Sequence, residues 1–186
     1  MKSFCLFETP LGSCGIAWVA SGDSQTPPAV IAFQLPEATT EMTASRIARN
    51  LGVRQSSAPP PYIAEVIEKV CRRLNGHLQD FRDIQVDLAG AGQFARQVYE
   101  AARHIPAGET RTYGQLAKAV GQPAAAQAVG QTLGRNPLAL IIPCHRVLAA
   151  GGKPGGFSAH GGRMTKARLL AIEGAISEEP PTFAFG

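Results

Sequence analysis

No apolar run in this 186-residue sequence approaches the roughly 20 residues that a bilayer-crossing helix needs, and its four cysteines contain no Cys-x-x-Cys spacing. The first absence predicts a chain without a membrane span. The second removes the usual signature of a zinc ribbon or a dithiol redox pair. Met1-Lys2-Ser3-Phe4 runs into Glu8 and Pro10 too soon for a secretory signal, which predicts a cytoplasmic protein with reduced thiols. Cys5 and Cys14 read as small strand residues rather than metal ligands with His77, so neither metal nor cofactor is expected. Charged residues make up 17% of the chain and are unevenly placed. Residues 1–90 hold 8 Lys and Arg against 9 Asp and Glu, a balance of −1, whereas residues 91–186 hold 10 against 5, a balance of +5. The second half is the one suited to a polyanion.

Phe4 to Thr9, Cys14 to Ala20 and Ala29 to Leu35 are short, rich in β-branched and aromatic residues, and separated by turn residues. They predict three antiparallel strands. Ala44, Ile47, Ala48 and Leu51 recur at helical spacing up to Gly52, and Ile63, Val66, Ile67, Val70 and Leu74 do so up to Gly76. Gln55 to Pro61 reads as an extended connector, and the alternation of Ile84, Val86 and Leu88 predicts a last strand. Gly90-Ala91-Gly92 then marks a boundary between an N-terminal domain, 1–90, and a second domain, 91–176, with a tail over 177–186.

The second half has helical periodicity. Phe94, Val98, Ala101, Ala102 and Ile105 form one stripe; Thr112-Tyr113-Gly114-Gln115 fits a capping box opening the next helix. A turn at Gly121-Gln122-Pro123 leads to a third helix, Ala124 to Gly134, with Gln127 and Gln131 on one outer face. Two short helices joined so tightly read as a helix-turn-helix. The small residues of the third, Ala124 to Ala126, Ala128 and Gly130, leave a narrow surface that fits a nucleic-acid groove.

Leu140-Ile141-Ile142 reads as a buried strand that Pro143 ends, displaying Cys144 and His145 on a turn. A thiol beside an imidazole admits acyl transfer, redox exchange or attack on an alkyl carbon, each through a thiolate. Glu173, near the end of a helix holding Lys166, Leu169, Leu170 and Ile172, is the best placed acid to orient the histidine.

Ile142-Pro143-Cys144-His145-Arg146-Val147, preceded by Arg135-Asn136-Pro137 and followed by Gly155-Gly156-Phe157-Ser158 and Leu169-Leu170-Ala171-Ile172-Glu173-Gly174, resembles the O6-alkylguanine-DNA alkyltransferases, the methylated-DNA-protein-cysteine methyltransferases. The match covers Phe94 to Gly174, and residues 1–90 fit the family's N-terminal domain in pattern, with Thr9-Pro10-Leu11-Gly12 opening a hairpin. The resemblance implies an α/β (α+β) chain: a ribonuclease-H-like sheet-and-helix domain, then a mostly helical domain like a winged helix-turn-helix. It implies a suicide enzyme, without cofactor, that flips O6-alkylguanine out of double-stranded DNA as a monomer and keeps the alkyl group on Cys144. His145 then takes the thiol proton through a water, Glu173 steadies the imidazolium, and Asn136 braces the turn. Tyr113 donates to the leaving guanine, and the Val147 carbonyl, Phe157 and Ser158 contact the flipped base. Thr112, Gln115, Ala126, Gln127, Gly130 and Arg135 face the DNA.

Two departures stand out. Gln127 occupies the position where the family carries an arginine that fills the space left by the flipped base; glutamine lacks the charge and the guanidinium plane. Phe157 replaces a tyrosine, and Ala159-His160 lengthens that loop by about two residues. Two other readings are weighed: an alkyltransferase-like lesion binder without transfer activity, a group that replaces the cysteine, and a Cys-His hydrolase.

Overall fold

A computed structural model describes residues 1–176 apart from Ser24, Asn50 and Ser57; the tail expected over 177–186 lies outside the described residues. Strands β1 (Lys2–Thr9) and β2 (Gly12–Val19) form a hairpin in register from Lys2 opposite Val19 to Thr9 opposite Gly12. The Thr9 hydroxyl closes its two-residue turn, donating to the Gly12 carbonyl at 2.7 Å and accepting from Leu11 N–H at 3.2 Å. Strand β3 (Ala29–Gln34) pairs antiparallel with β2 across a bulge at Ala17/Trp18.

Alternation along β1 and β2 creates two apolar faces. On one, Phe4 and Ala17 meet Ile47 of α1 (Thr40–Ala48). Gly15 makes this approach possible, since a Cβ there would lie 2.9 Å from Ile47 Cδ1. On the other, Cys5, Cys14 and Ile16 pack with Ile63, Val66 and Val70 of α2 (Pro61–Leu74). Among the described residues no helix is long and apolar enough to cross a membrane.

The sheet departs from expectation at both edges. Its fourth strand is β4 (Arg54–Gln55), parallel to β1 and overlapping the first residue of the stretch expected to be a connector. Ile84–Leu88 forms no strand: Val30 N–H donates to Gln85 O and Asp87 N–H to Val30 O, each at 2.9 Å, making one isolated bridge. The Asp87 carboxylate then accepts from Ala89 N–H at 2.7 Å and turns the chain away.

The second half contains α3 (Gln93–Arg103), β5 (Arg111–Thr112), α4 (Tyr113–Ala119), α5 (Ala126–Gly134), β6 (Val147–Leu148) and α6 (Arg163–Ile172). The capping box is formed: Gln115 N–H donates to the Thr112 hydroxyl at 3.1 Å, and Thr112 N–H to Gln115 Oε1 at 2.7 Å. Ala124 and Ala125 belong to the turn before α5, whose Val129 and Leu133 are buried while Gln127 and Gln131 face outward. Parallel pairing of Arg111 with Val147 and Thr112 with Leu148 sets the start of α4 beside the turn that carries Cys144. One apolar cluster runs from Cys5 through Val98, Leu138 and Cys144 to Leu169, spanning Gly90–Gly92 without a break.

Candidate active site

The approach to Cys144 is a buried turn, not the expected strand. Leu140 has φ 71°, a left-handed conformation that costs a branched side chain about 1–2 kcal/mol. Ile142 N–H donates to Leu138 O, and Cys144 N–H donates to Ile142 O, both at 2.8 Å. With φ −80° and ψ 64°, Pro143 is the centre of an inverse γ-turn, so it reverses the chain here instead of ending a ladder. A single 3-10 turn, Cys144–Arg146, follows.

Asn136 fastens this turn from below. Its Nδ2 donates to the Ile142 carbonyl at 2.8 Å and lies 3.2 Å from Cys144 Sγ, while its Oδ1 accepts from Leu138 N–H at 3.0 Å. Burial pushes the Cys144 thiol above its ordinary value, against the Asn136 hydrogen bond and the charge of Lys166. The resting residue is therefore a thiol, and a reaction through sulfur needs a base.

His145 is fully buried directly behind it. Its Nε2 stands 3.1 Å from Glu173 Oε1, yet neither ring nitrogen makes an aligned hydrogen bond, so the contact is one of charge with dipole. Burial lowers the pKa of His145, with Glu173 opposing and the Arg146 and Lys166 charges adding to the fall; the imidazole is neutral. Glu173 is more firmly held: Arg146 donates through Nε to Oε2 at 2.8 Å and through Nη2 to Oε1 at 2.7 Å, the forked geometry that makes such pairs strong. Burial favours protonation of the Glu173 carboxyl, but the close His145 nitrogen and the hydrogen bonds from Arg146 outweigh it and hold its pKa down at about 2.

In front of Cys144 lies a cavity of about 560 Å³ lined by Tyr113, Ala126, Gln127, Gly130, Phe157 and Ser158 among others. The Tyr113 ring sits between two glycines. A Cβ on Gly130 would lie 3.7 Å from it, and one on Gly155, where φ is +63°, would lie 3.0 Å from its hydroxyl. Burial and the neighbouring Cys144 raise the Tyr113 pKa, keeping its O–H as a donor.

The fold thus gathers Cys144, Tyr113, Ala126, Gln127, Gly130, Phe157 and Ser158 on one cavity, with Asn136 beneath and His145 and Glu173 behind. It does not bring the rest of the expected set there. Thr112 and Gln115 are engaged with each other in the capping box, and Arg135 lines the adjoining cleft between α1 and α5. Val147 is buried, and its carbonyl accepts from Lys166 Nζ at 2.6 Å.

Three cations of the site were not singled out from the sequence: Arg146, Lys166 and Arg73. Lys166 is fully buried, and burial pushes its pKa down to about 8. Its signal is its place on the apolar stripe of α6 with Leu169 and Leu170. Arg73 shares the stripe of α2 with Val66, Val70 and Leu74, and only 2% of it is exposed.

Residues 93–175 match the family model described as 6-O-methylguanine DNA methyltransferase, DNA binding domain. The methylated-DNA–protein-cysteine methyltransferase of Mycolicibacterium paratuberculosis is 45% identical over 114 residues, 61% of this chain and 67% of that protein. Its counterpart in Methanosarcina acetivorans is 38% identical over 128 residues, 67% of this chain and 81% of that protein. Among solved structures, the Mycobacterium tuberculosis O6-methylguanine methyltransferase superposes with a TM-score of 0.72 at 31% identity, covering 97% of this chain and 96% of that one. The same protein in complex with DNA gives 0.72 at 29% identity over 93% of both chains. A fold shared along nearly the whole length, with a sheet-bearing first half and a helical second half, and these levels of identity lead to one assignment: the chain belongs to the methylated-DNA–protein-cysteine methyltransferase family.

Proposed function

We propose that this protein repairs DNA by moving an alkyl group from O6 of a flipped guanine onto Cys144, once per molecule. The observation that carries this reading is a buried thiol on the floor of a largely apolar cavity, fixed by Asn136 and backed by a neutral imidazole on a carboxylate.

The Cys144 thiol proton passes to His145 through a bridging water, and the imidazolium is stabilised by Glu173, which Arg146 already holds in place. Sγ then attacks the alkyl carbon in line with its bond to O6; a carbon–sulfur bond forms as the carbon–oxygen bond breaks. The electron pair leaves on guanine, which takes a proton from the Tyr113 hydroxyl, and the imidazolium proton returns through water to the tyrosinate, leaving both side chains neutral. Lys166 contributes a positive charge that favours the thiolate. A thioether has no easy hydrolytic exit, so Cys144 is spent.

The half from 91 to 176 carries DNA binding and chemistry, α5 lies toward the groove, and Gln127 at the cavity mouth replaces the family's arginine, weakening base flipping. The proposed active form is a monomer. The test is the intact mass after incubation with duplex DNA containing O6-methylguanine. A single methyl gain that Cys144→Ser abolishes is expected; DNA binding with no gain would sink the proposal and favour a lesion-binding protein.

A further inference from the structure

Among the described residues, Arg73 is the side chain of the first half that forms an ion pair with the proposed relay. Arg73 Nη1 on α2 lies 3.6 Å from Glu173 Oε1, the oxygen that also receives Arg146 Nη2 at 2.7 Å and faces His145 Nε2 at 3.1 Å. One oxygen is thus shared by three nitrogen bases. The Arg73 guanidinium also lies over the Phe81 ring at 5.4 Å, and its Nε and Nη1 make no hydrogen bond.

Arg73 is superfluous for holding Glu173, because Arg146 alone satisfies both carboxylate oxygens. A guanidinium remains charged when buried, so two guanidiniums against one carboxylate leave a surplus positive charge. Such a surplus, only partly hydrogen-bonded, is a poor source of stability. It has a definite electrostatic effect: a positive charge beside the carboxylate competes with an imidazolium for the same oxygen and disfavours protonation of the ring.

We infer that Arg73 is a positioning residue that sets the proton affinity of His145 from the first half of the chain, keeping the ring neutral and ready to accept the Cys144 proton. The inference rests on the proposed role of His145 as base. The other groups facing His145 are Arg146 and Cys144 on its own turn and Lys166 and Glu173 of α6 and its end. Asp80, which faces Arg73, is engaged by Arg82 in a forked ion pair and offers it little neutralisation.

The experiment is the single-turnover rate of alkyl transfer against pH for the unmodified protein, Arg73→Gln and Arg73→Lys. Loss of the charge should move the acid limb of the Arg73→Gln profile upward by on the order of one pH unit, while Arg73→Lys, which keeps the charge, should restore it. A Gln profile scaled down without moving would make Arg73 merely structural and overturn the inference. Arg73→Met, which keeps the apolar stem against Phe81, serves if the Gln variant does not fold. Titration of the His145 ring by NMR, in the Cys144→Ser background, reads the same shift without transfer; an unmoved midpoint overturns the inference. Failure of the unmodified protein to take up alkyl groups would instead strike the proposed function, leaving the NMR result standing.

Discussion

The side-chain amide of Asn136 lies 3.2 Å from the sulfur of Cys144 and donates to it. The same nitrogen reaches the Ile142 carbonyl and the paired oxygen takes Leu138 N–H, so one residue fixes the nucleophile and both limbs of the turn that presents it. Asn136→Ala leaves Leu138 N–H without its partner and the Ile142 carbonyl with Cys144 N–H alone, which costs about 1–3 kcal/mol of stability, and removes a donor that favours the thiolate. The single-turnover transfer rate should fall by on the order of tenfold or more. Asn136→Asp separates positioning from charge, because its carboxylate still accepts from Leu138 N–H but sets a negative charge against the sulfur. Its rate should fall below that of the Ala variant; an Asp variant as fast as the unmodified protein would show that the amide does not tune the thiol.

Gln127 stands exposed at the mouth of the cavity, at the start of α5. Gln127→Arg introduces a planar cation able to stack in the space of an extruded base. Transfer from duplex DNA should become several-fold faster, while transfer from free O6-benzylguanine, which needs no flipping, should not change. Equal acceleration on both substrates would place the effect in the cavity instead.

Glu173 gives the fold a defined sensitivity to acid. Although burial opposes ionisation, the close His145 nitrogen and the hydrogen bonds from Arg146 hold its pKa at about 2, below the ordinary 4.5. A carboxyl whose folded value is depressed stabilises fully above its unfolded value, and that contribution disappears as pH falls through the interval toward 2. Glu173→Gln should be less stable at pH 7 and lose less further stability between about pH 5 and 2. Denaturant midpoints at several pH values measure both slopes. Asp80 is held down at about 2 as well, by Arg82, but it is common to both proteins, so parallel slopes would count against Glu173.

Patterns carried by neighbouring residues could be read from the sequence, whereas long-range pairings could not. Alternation in β1 to β3, the stripes of α2 and α3 and the capping box at Thr112 are local, and the structure has them where the pattern puts them. Strand β4 was hidden because Arg54 and Gln55 are polar and exposed, and only the edge of β1 makes them a strand. Leu140 to Ile142 misled because an apolar run signals burial without specifying backbone shape, and Asn136 supplies the hydrogen bonds that a ladder would have supplied. Cys144, His145 and Glu173 were legible as motif residues. Arg73 was not, since its meaning depends on α2 packing against the end of α6.

The parallel pairing of Arg111 with Val147 and Thr112 with Leu148 makes a short mechanical coupling. One of its strands runs directly into α4 and the other leaves directly from the Cys144 turn. Two residue pairs therefore hold the start of α4 and the turn of the nucleophile in one register.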